Sequence, residues 1–276
     1  MPNYRHINYE VMTDTRHMYT TNPELQEAVR YSTVHQFMVN HEDSIDYEEL
    51  HPQRATEYII SGKRSFEAAK GYGDKKVAVL NFANNHVIGG APFSAGAQEE
   101  SLCRCSTLLP CLQAMKHDFY DKHRRLYDAH IINYMGNDDL IYTPDVIVFK
   151  TDELADVIYP KTMKPTEWYK VDVITSAAPE LQYSRPRPDD YEAQITSRIK
   201  KILDVAASQN VDALILGSWG CGAFKNPIET VTRVFCSLLQ NYHFEAVEFA
   251  LSSRGDLSTN DFANCLCNSS LSFHKA

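Results

Sequence analysis

The chain has 276 residues, a formal net charge of −9 at pH 7 and 43% hydrophobic residues. This length suits one large α/β domain or two small ones, and the acidic balance argues against binding nucleic acid through a basic face. No run of 18 apolar residues occurs and the first residues are polar, so we expect neither a membrane span nor a secretory signal.

Residues 1–56 are polar, with tyrosines and histidines scattered through them. Within this region, the stretch from Pro23 to Tyr31 predicts a helix that Asn22 would cap. We interpret residues 1–56 as an N-terminal helical extension and residues 57–276 as one catalytic-type domain.

From residue 57, short apolar runs alternate with longer amphipathic stretches, which is typical of an α/β layered fold with a largely parallel or mixed sheet. The predicted strands are rich in β-branched or large apolar residues and lie at 58–60, 77–82, 146–149, 171–174, 213–216 and 247–251. The predicted helices are 98–109, 191–208 and 227–240. We expect Pro110 to end or bend the first helix, and Asn226 to cap the last, with Pro227 as its first residue.

The seven cysteines are odd in number, and their spacing does not indicate a framework of disulfides. Cys103, Cys105 and Cys111 fall in one predicted helical segment, where small buried apolar side chains are the favoured interpretation. Since no Cys-x-x-Cys pair occurs with a matching histidine pair, we expect no metal site. A reducing, cytoplasmic setting follows as the expected location.

Asparagines and a glycine pair follow the predicted strand 77–82. Asn84 offers donor and acceptor groups that suit ribose hydroxyls, at the strand end where α/β folds bind ligands. Gly89 and Gly90 allow backbone amides to approach a phosphate or a ribose closely. Each residue alone is also typical of a simple turn.

Three polar residues, Gln98, Glu99 and Glu100, open the helix that follows. Adjacent carboxylates supply an acid, a base or a stabiliser of positive charge. Carboxylates in a first helical turn also simply favour the helix dipole, which lowers their pKa, whereas a general acid at neutral pH needs a raised pKa. Burial would have to outweigh the dipole for the acid role.

A glycine-rich segment links the predicted strand 213–216 to the next helix, and this arrangement forms a good cradle for a diphosphate. Its glycine spacing is neither that of a dinucleotide-binding fold nor that of a P-loop. The last aromatic side chain of the segment could stack on a sugar or base, or equally cover the core. The segment comprises Gly217, Ser218, Trp219, Gly220, Cys221, Gly222, Ala223 and Phe224.

The motifs Asn81-Phe82-Ala83-Asn84, Gly89-Gly90 and Ala97 to Arg104 together resemble the signature of microbial-type poly(ADP-ribose) glycohydrolases of the macrodomain superfamily. Segments 142–150, 171–179 and 217–224 resemble later parts of that family in the same order, so the resemblance covers about residues 57–251. It implies an α/β, macrodomain-like three-layer fold with a mixed, largely parallel sheet between helices. It also implies cleavage at C1 of the distal ribose of poly- or mono-ADP-ribosylated protein, with release of ADP-ribose and no cofactor.

By position, the resemblance makes Glu100 the catalytic acid and base, and makes Glu99 a residue that fixes the distal ribose or the leaving group. Asn84 and the Gly89-Gly90 turn would hold that ribose. The glycine-rich segment would wrap the diphosphate, with Phe224 orienting the distal sugar. Ala91 and Gln98 complete the predicted ligand-binding residues.

The chain departs from the family pattern at Ala91, where a third consecutive glycine is expected, and at residues 85–88. The methyl group of Ala91 could narrow the turn, which would affect the substrate range more than the reaction type and could favour a single ADP-ribose over polymer. The expected partner is ADP-ribose or an ADP-ribosylated protein, with no nucleic acid and no membrane.

Three other interpretations stay open at the level of sequence. A macrodomain can bind ADP-ribose without hydrolysing it, although such a reader needs no paired carboxylates. A thiol or zinc enzyme could use Cys103, Cys105 and His86. A nicotinamide-dependent dehydrogenase would require a spaced glycine fingerprint and a downstream acidic residue, which are missing.

Overall fold

The structure of the protein is a computed structural model, which describes residues 4–48, 53–152, 160–183, 186–252 and 257–276. Its strands follow the predicted apolar runs. All six predicted strands are present, and two short strands, the first and the last, were not predicted. The strands are β1 (Phe37–Val39), β2 (Glu57–Ser61), β3 (Val77–Phe82), β4 (Leu140–Val148), β5 (Tyr169–Ser176), β6 (Ala213–Leu216), β7 (Ala246–Ala250) and β8 (Phe273–Lys275).

The α-helices cover both faces of the sheet. They are α1 (Tyr4–Thr21), α2 (Pro23–His35), α3 (Ser65–Lys70), α4 (Gln98–Cys105), α5 (Leu108–Ala114), α6 (Asp121–Asp128), α7 (Tyr191–Ser208), α8 (Ile228–Leu239) and α9 (Leu257–Cys267). Over the described ranges, none of these helices combines the length and the apolar character that crossing a membrane requires.

The described strands form one eight-stranded sheet in the order β1-β4-β5-β3-β6-β7-β2-β8. The pairings of β4 with β1 and with β5 are antiparallel, whereas β5, β3, β6, β7, β2 and β8 run parallel to one another. The sheet is therefore mixed and largely parallel, as predicted. Parallel strands end at the same edge of a sheet, so the loops after β2, β3, β5, β6 and β7 meet there.

Side chains alternate between two hydrophobic cores, one on each face of the sheet. Ala78 and Leu80 of β3 face a core with α7, α8 and α9, whereas Val77 and Val79 face a core with α1 to α5. The period of two along a strand produces this division, and burial on both faces explains why the strands read as continuous apolar runs. The predicted three-layer fold is confirmed.

The helix predicted at 98–109 is two helices. Ser106 is extended, with φ −147° and ψ −178°, and its Oγ accepts a hydrogen bond from the Leu108 amide at 3.2 Å. Pro110 neither ends nor bends the first helix, because it is the third residue of α5. A proline is tolerated in a first turn, since the amide it lacks would have no partner within the helix.

The cap predicted for α8 is wrong. Pro227 is the N-cap, and Asn226 lies outside the helix with its side chain turned back toward the preceding loop. By contrast, the Asn22 cap of α2 is confirmed, since its Oδ1 accepts hydrogen bonds from the amides of Glu24 at 2.9 Å and Leu25 at 3.2 Å.

The N-terminal helices pack against the rest of the molecule through polar contacts. On α1, Thr15 donates to the Arg104 carbonyl at 2.6 Å, and Asn8 donates to the Ala95 carbonyl at 3.0 Å. Lys150, which is buried, donates to the Val11 carbonyl at 3.1 Å. Thus α1 contacts both α4 and the loop that precedes it.

Candidate active site

A cavity of about 420 Å³ opens at the sheet edge where the parallel strands end. Its walls come from the loops after β2, β3, β5, β6 and β7, together with the start of α4 and Asp152 beyond β4. The lining residues are Arg64, Ser65, Phe82, Ala83, Asn84, Gly90, Gly96, Ala97, Gln98, Glu99, Glu100, Ser101, Asp152, Ala178, Ser218, Trp219, Gly220, Gly222, Ala223, Phe224, Ala250, Leu251 and Ser252.

Glu99 is buried and lines this cavity, and both of its oxygens accept hydrogen bonds. Oε1 accepts a hydrogen bond from Asn81 Nδ2 at 3.2 Å, and Oε2 accepts one from the Asn84 amide at 3.0 Å. Glu99 therefore fixes the position at which β3 passes into the loop of residues 83–91, which we call the Asn84 loop.

Burial raises the pKa of Glu99 from its ordinary value of 4.5 to about 8. The hydrogen bonds from Asn84 and Asn81 oppose this shift, and the neighbouring charge of Glu100 adds to it. Desolvation disfavours the charged carboxylate more than these two donors stabilise it. At Glu99, burial thus outweighs the effects that favour the ionised form.

Glu100 lies beside it and has one unpaired oxygen. Oε1 accepts a hydrogen bond from the Ala91 amide at 3.1 Å, whereas the buried Oε2 has no hydrogen-bond partner among the described residues. Gly90 has φ +66°, and a Cβ on it would overlap Glu100 Oε1 and come within 2.9 Å of Glu100 Cδ. Glycine is therefore required at this position both by the backbone conformation and by the adjacent carboxyl group.

Gln98 and Asn84 use most of their hydrogen-bonding groups within the protein. Gln98 accepts from the Phe82 amide at 2.9 Å and donates to the Leu80 carbonyl at 2.8 Å and to Ser65 Oγ at 3.1 Å. Asn84 Oδ1 accepts from the amides two and three residues later in the chain, at 2.8 and 2.9 Å. These contacts hold the end of β3 and the start of α4 in a fixed relation.

A second part of the wall comes from the segment of residues 217–224, which we call the glycine loop. Gly220 has φ +74°, and a Cβ on it would come within 2.6 Å of Asn226 Nδ2. Asn226 is buried and donates to the Gly220 carbonyl at 2.9 Å and to the Pro179 carbonyl at 2.8 Å. The indole of Trp219 is fully buried and donates to the Ser176 carbonyl at 2.9 Å, so it holds the loop onto the core.

A charged cluster forms a third part of the wall. Arg64 Nη1 lies 3.2 Å from Asp152 Oδ1 and 3.2 Å from Ser101 Oγ, and Ser101 donates to the same Asp152 oxygen at 2.9 Å. Burial raises the pKa of Asp152, although Arg64 opposes this shift. Arg64 is the one cationic side chain among the described residues that line the cavity.

The structure brings most of the predicted site residues to one cavity. Gly89, Ala91, Gly217 and Cys221 are not among the lining residues, although the Ala91 amide reaches Glu100. Sequence reasoning missed the Arg64 wall and the residues after β7. Their position just after predicted strands could have indicated these residues from the sequence. The approach of Asp152 to Arg64 could not be predicted in this way, because it depends on tertiary packing.

The cysteines near the site are structural. Cys103 and Cys105 are fully buried, and burial raises the pKa of both thiols, which disfavours the nucleophilic thiolate. Within the described ranges, no group of three or more His, Cys, Asp or Glu residues could hold a metal ion. These observations give no support to a thiol or zinc enzyme built on these residues and His86.

A macrodomain-like α/β hydrolase is the class of protein that this sheet, its cavity and the two buried glutamates define. The model of the microbial-type PARG catalytic domain, the poly(ADP-ribose) glycohydrolase family, matches residues 7–151, and the chain belongs to that family. The match includes most of α1 and all of α2, as well as Asn84, Glu99 and Glu100. No curated protein sequence matches the chain.

Solved structures of bacterial poly(ADP-ribose) glycohydrolases are similar to this chain over nearly its full length. The enzyme from Thermomonospora curvata is 25% identical, with 94% of this chain and 98% of that chain covered and a TM-score of 0.77. Its complex with the inhibitor ADP-HPD is 26% identical and covers 93% and 98%, with a TM-score of 0.75. The Deinococcus radiodurans enzyme in complex with ADP-ribose is 26% identical and covers 86% and 96%, with a TM-score of 0.69.

Proposed function

We propose that this poly(ADP-ribose) glycohydrolase cleaves its substrate with Glu100 as the acid and base, and that it releases ADP-ribose. The activity class follows from the family, and the role of Glu100 is supported by one observation. Glu100 lines the cavity, and its buried Oε2 has no hydrogen-bond partner among the described residues. A buried carboxyl oxygen without a partner is costly unless a ligand or a proton satisfies it.

The two loops that line the cavity suit the two halves of the ligand. The glycine loop follows β6 and lies before α8, where backbone amides favour a diphosphate. The Asn84 loop lies beside Glu100 and offers backbone and amide groups to ribose hydroxyls. Arg64 adds a positive charge that complements the diphosphate.

Glycosidic cleavage passes through a transition state with positive charge on the ribose. Glu100 donates a proton to the departing atom and then accepts one from the attacking water, and each such role is worth about 10²–10⁴-fold. Glu99 has both oxygens occupied by Asn81 and Asn84. We therefore assign Glu99 to positioning the Asn84 loop beneath the ribose.

The test is the Glu100→Gln variant, which keeps the shape of the side chain and removes its acid function. We expect ADP-ribose affinity within a few fold of wild type, measured by calorimetry, and loss of about 10²–10⁴-fold in turnover. Full turnover in the variant would overturn the assignment. Wild-type protein that binds ADP-ribose but releases none from any substrate would instead be a reader.

The modified side chain is best identified with a panel of substrates. ADP-ribose linked to arginine, glutamate or serine, and free polymer, would be incubated with the enzyme, and release of ADP-ribose measured. We propose that polymer is a substrate, because a row of aromatic rings lies on the surface beside the cavity.

A further inference from the structure

A row of four aromatic rings lies on the surface beside the cavity. His86, Tyr127, Tyr134 and Tyr183, which we call the aromatic row, contact one another in that order. Their ring centroids are 5.5, 5.2 and 5.1 Å apart, which is within the range of favourable aromatic pairs. Tyr134 is 44% exposed and Tyr183 is 62% exposed.

The two ends of the aromatic row connect to different walls of the cavity. The His86 amide donates to Oδ1 of Asn84, which lines the cavity, at 2.8 Å. At the other end, Tyr183 closes a short turn that begins at Leu181, whose amide donates to the carbonyl of cavity-lining Phe224 at 2.9 Å. The row therefore extends from the Asn84 loop to the glycine loop.

The middle of the row is held in place by buried contacts. Gly136, two residues after Tyr134, has φ +64°, and a Cβ on it would overlap Nδ2 of the buried Asn85. The buried Arg198 donates to the Met135 carbonyl and, at 2.9 Å, to the Ala177 carbonyl. Tyr134 is thus presented on a rigid segment, which lowers the entropic cost of binding to its ring.

The chemistry of the polymer places a second base close to the reacting bond. In poly(ADP-ribose), the departing oxygen belongs to the ribose of an adenosine, so an adenine is attached to the leaving sugar. When the leaving group is an amino acid side chain, no such base is present. Exposed aromatic rings bind bases by stacking, and they do so without reading the base sequence.

We propose that the aromatic row binds the adenosine of the leaving ADP-ribose unit, and that this contact strengthens the binding of polymer substrates. This inference rests on the proposed function, because it requires the scissile bond to lie in the cavity beside Asn84 and Glu100. The exposed Arg124 and Arg125 on α6, the helix that carries Tyr127, complement the phosphates of that unit. Burial lowers the pKa of His86, with smaller contributions from the charges of His123 and Arg124, and this shift favours the neutral ring.

The experiment compares two substrates with the same scissile ribose carbon and different leaving groups. A short poly(ADP-ribose) chain carries adenosine there, whereas a singly ADP-ribosylated peptide carries an amino acid. Tyr134→Ala and Tyr183→Ala are each expected to raise KM for the polymer by about 5- to 150-fold, the range for loss of one base stack. KM for the peptide should stay within about twofold.

Matched variants separate stacking from general effects on the surface. Tyr134→Phe and Tyr183→Phe keep the ring and should retain polymer KM. Tyr31→Ala removes a tyrosine on α2 that is 44% exposed, as Tyr134 is, and it should leave KM unchanged for both substrates.

The outcomes are distinguishable. The inference is overturned if the alanine variants raise KM equally for both substrates, or if they leave KM for the polymer unchanged. It is also overturned if they raise KM for the peptide alone, a result that would assign the row to the modified protein instead. If wild type cleaves neither substrate, the proposed function fails, whatever the row binds. If wild type cleaves both and the alanine variants are unaltered, only the aromatic row is reassigned.

Discussion

The two loops that face the cavity are organised in different ways. The Asn84 loop is fixed by side chains that belong to the site itself, since Glu99 and Glu100 accept hydrogen bonds from its backbone. The glycine loop is fixed to the core of the protein, by the side-chain amide of Asn226 and by the buried indole of Trp219. Gly222 has open space around its Cβ position, so this loop leaves room at the cavity.

This difference indicates which substitutions affect chemistry and which affect binding. Changes in the Asn84 loop displace the carboxyl groups directly, and a displacement of about 1 Å can cost about 10²-fold in rate. Changes behind the glycine loop loosen a surface that holds the ligand while the acid stays in place. The following variants test that contrast.

Gly90→Ala should have the largest effect. Its Cβ would overlap Glu100 Oε1, and its φ of +66° is unfavourable for alanine, so we expect turnover to fall by about 10²-fold or more. Steady-state release of ADP-ribose is the measurement. Gly73→Ala is the matched control, because Gly73 has φ +60° and nothing lies within 4 Å of its Cβ position. If both variants lose turnover equally, backbone strain rather than the carboxyl contact is responsible.

Asn226→Ala should act mainly on binding and stability. It removes the side-chain donor to the Pro179 carbonyl and the acceptor of the buried Tyr191 hydroxyl, at a cost of about 1–3 kcal/mol in the free energy of unfolding. The Gly220 carbonyl loses one of its two donors and keeps the Asn226 backbone amide. We expect a higher KM with kcat less affected than in Gly90→Ala, measured by kinetics and urea denaturation. Asn241→Ala, which removes one exposed bond to Leu238, is the control. A fall in kcat with unchanged KM would contradict the contrast.

Glu99→Gln should change how stability depends on pH. The pKa of Glu99 is about 8 in the folded protein against 4.5 ordinarily, so the folded state keeps a proton that the unfolded chain loses. The contribution of Glu99 is therefore fully present below pH 4.5 and is lost as pH rises toward about 8. Relative to the variant, wild type should become less stable across that window.

Urea denaturation at several pH values measures this difference. Glu27→Gln, at a carboxyl group that is 60% exposed, should show no comparable trend. A difference between wild type and Glu99→Gln that does not vary with pH would show that burial does not hold the proton on Glu99.

Cys221→Ser should have the smallest effect. Cys221 was predicted to bind ligand, but its side chain lies outside the cavity lining and bonds only weakly to the Trp219 carbonyl, at 3.6 Å. We expect a change in the free energy of unfolding within about 0.5 kcal/mol, and an unchanged KM. A severalfold rise in KM would show that Cys221 contributes to ligand binding after all.

The sequence predicted the layers of the fold, and it brought residues 98–100 together before the structure placed them at one cavity, because both features depend on local patterns. Apolar runs marked the central strands, and residues 98–100 already lay together in the chain. The break at Ser106 was not predicted because its extended backbone depends on a bridge to Val148 in the distant β4. The tether at Asn226 was missed for a similar reason, since its partners come from Pro179 and Tyr191 as well as from the neighbouring loop.

The contacts of α1 bear on how shortened forms of this enzyme would behave. Tyr9 and Arg16 pack on Phe93, and Asn8 and Thr15 bond to residues 94–95 and 104. A fragment beginning at residue 57 would expose the outer side of the segment that supports both glutamates. We expect such a fragment to express poorly, and inhibitor screens should therefore start from protein that retains its first two helices.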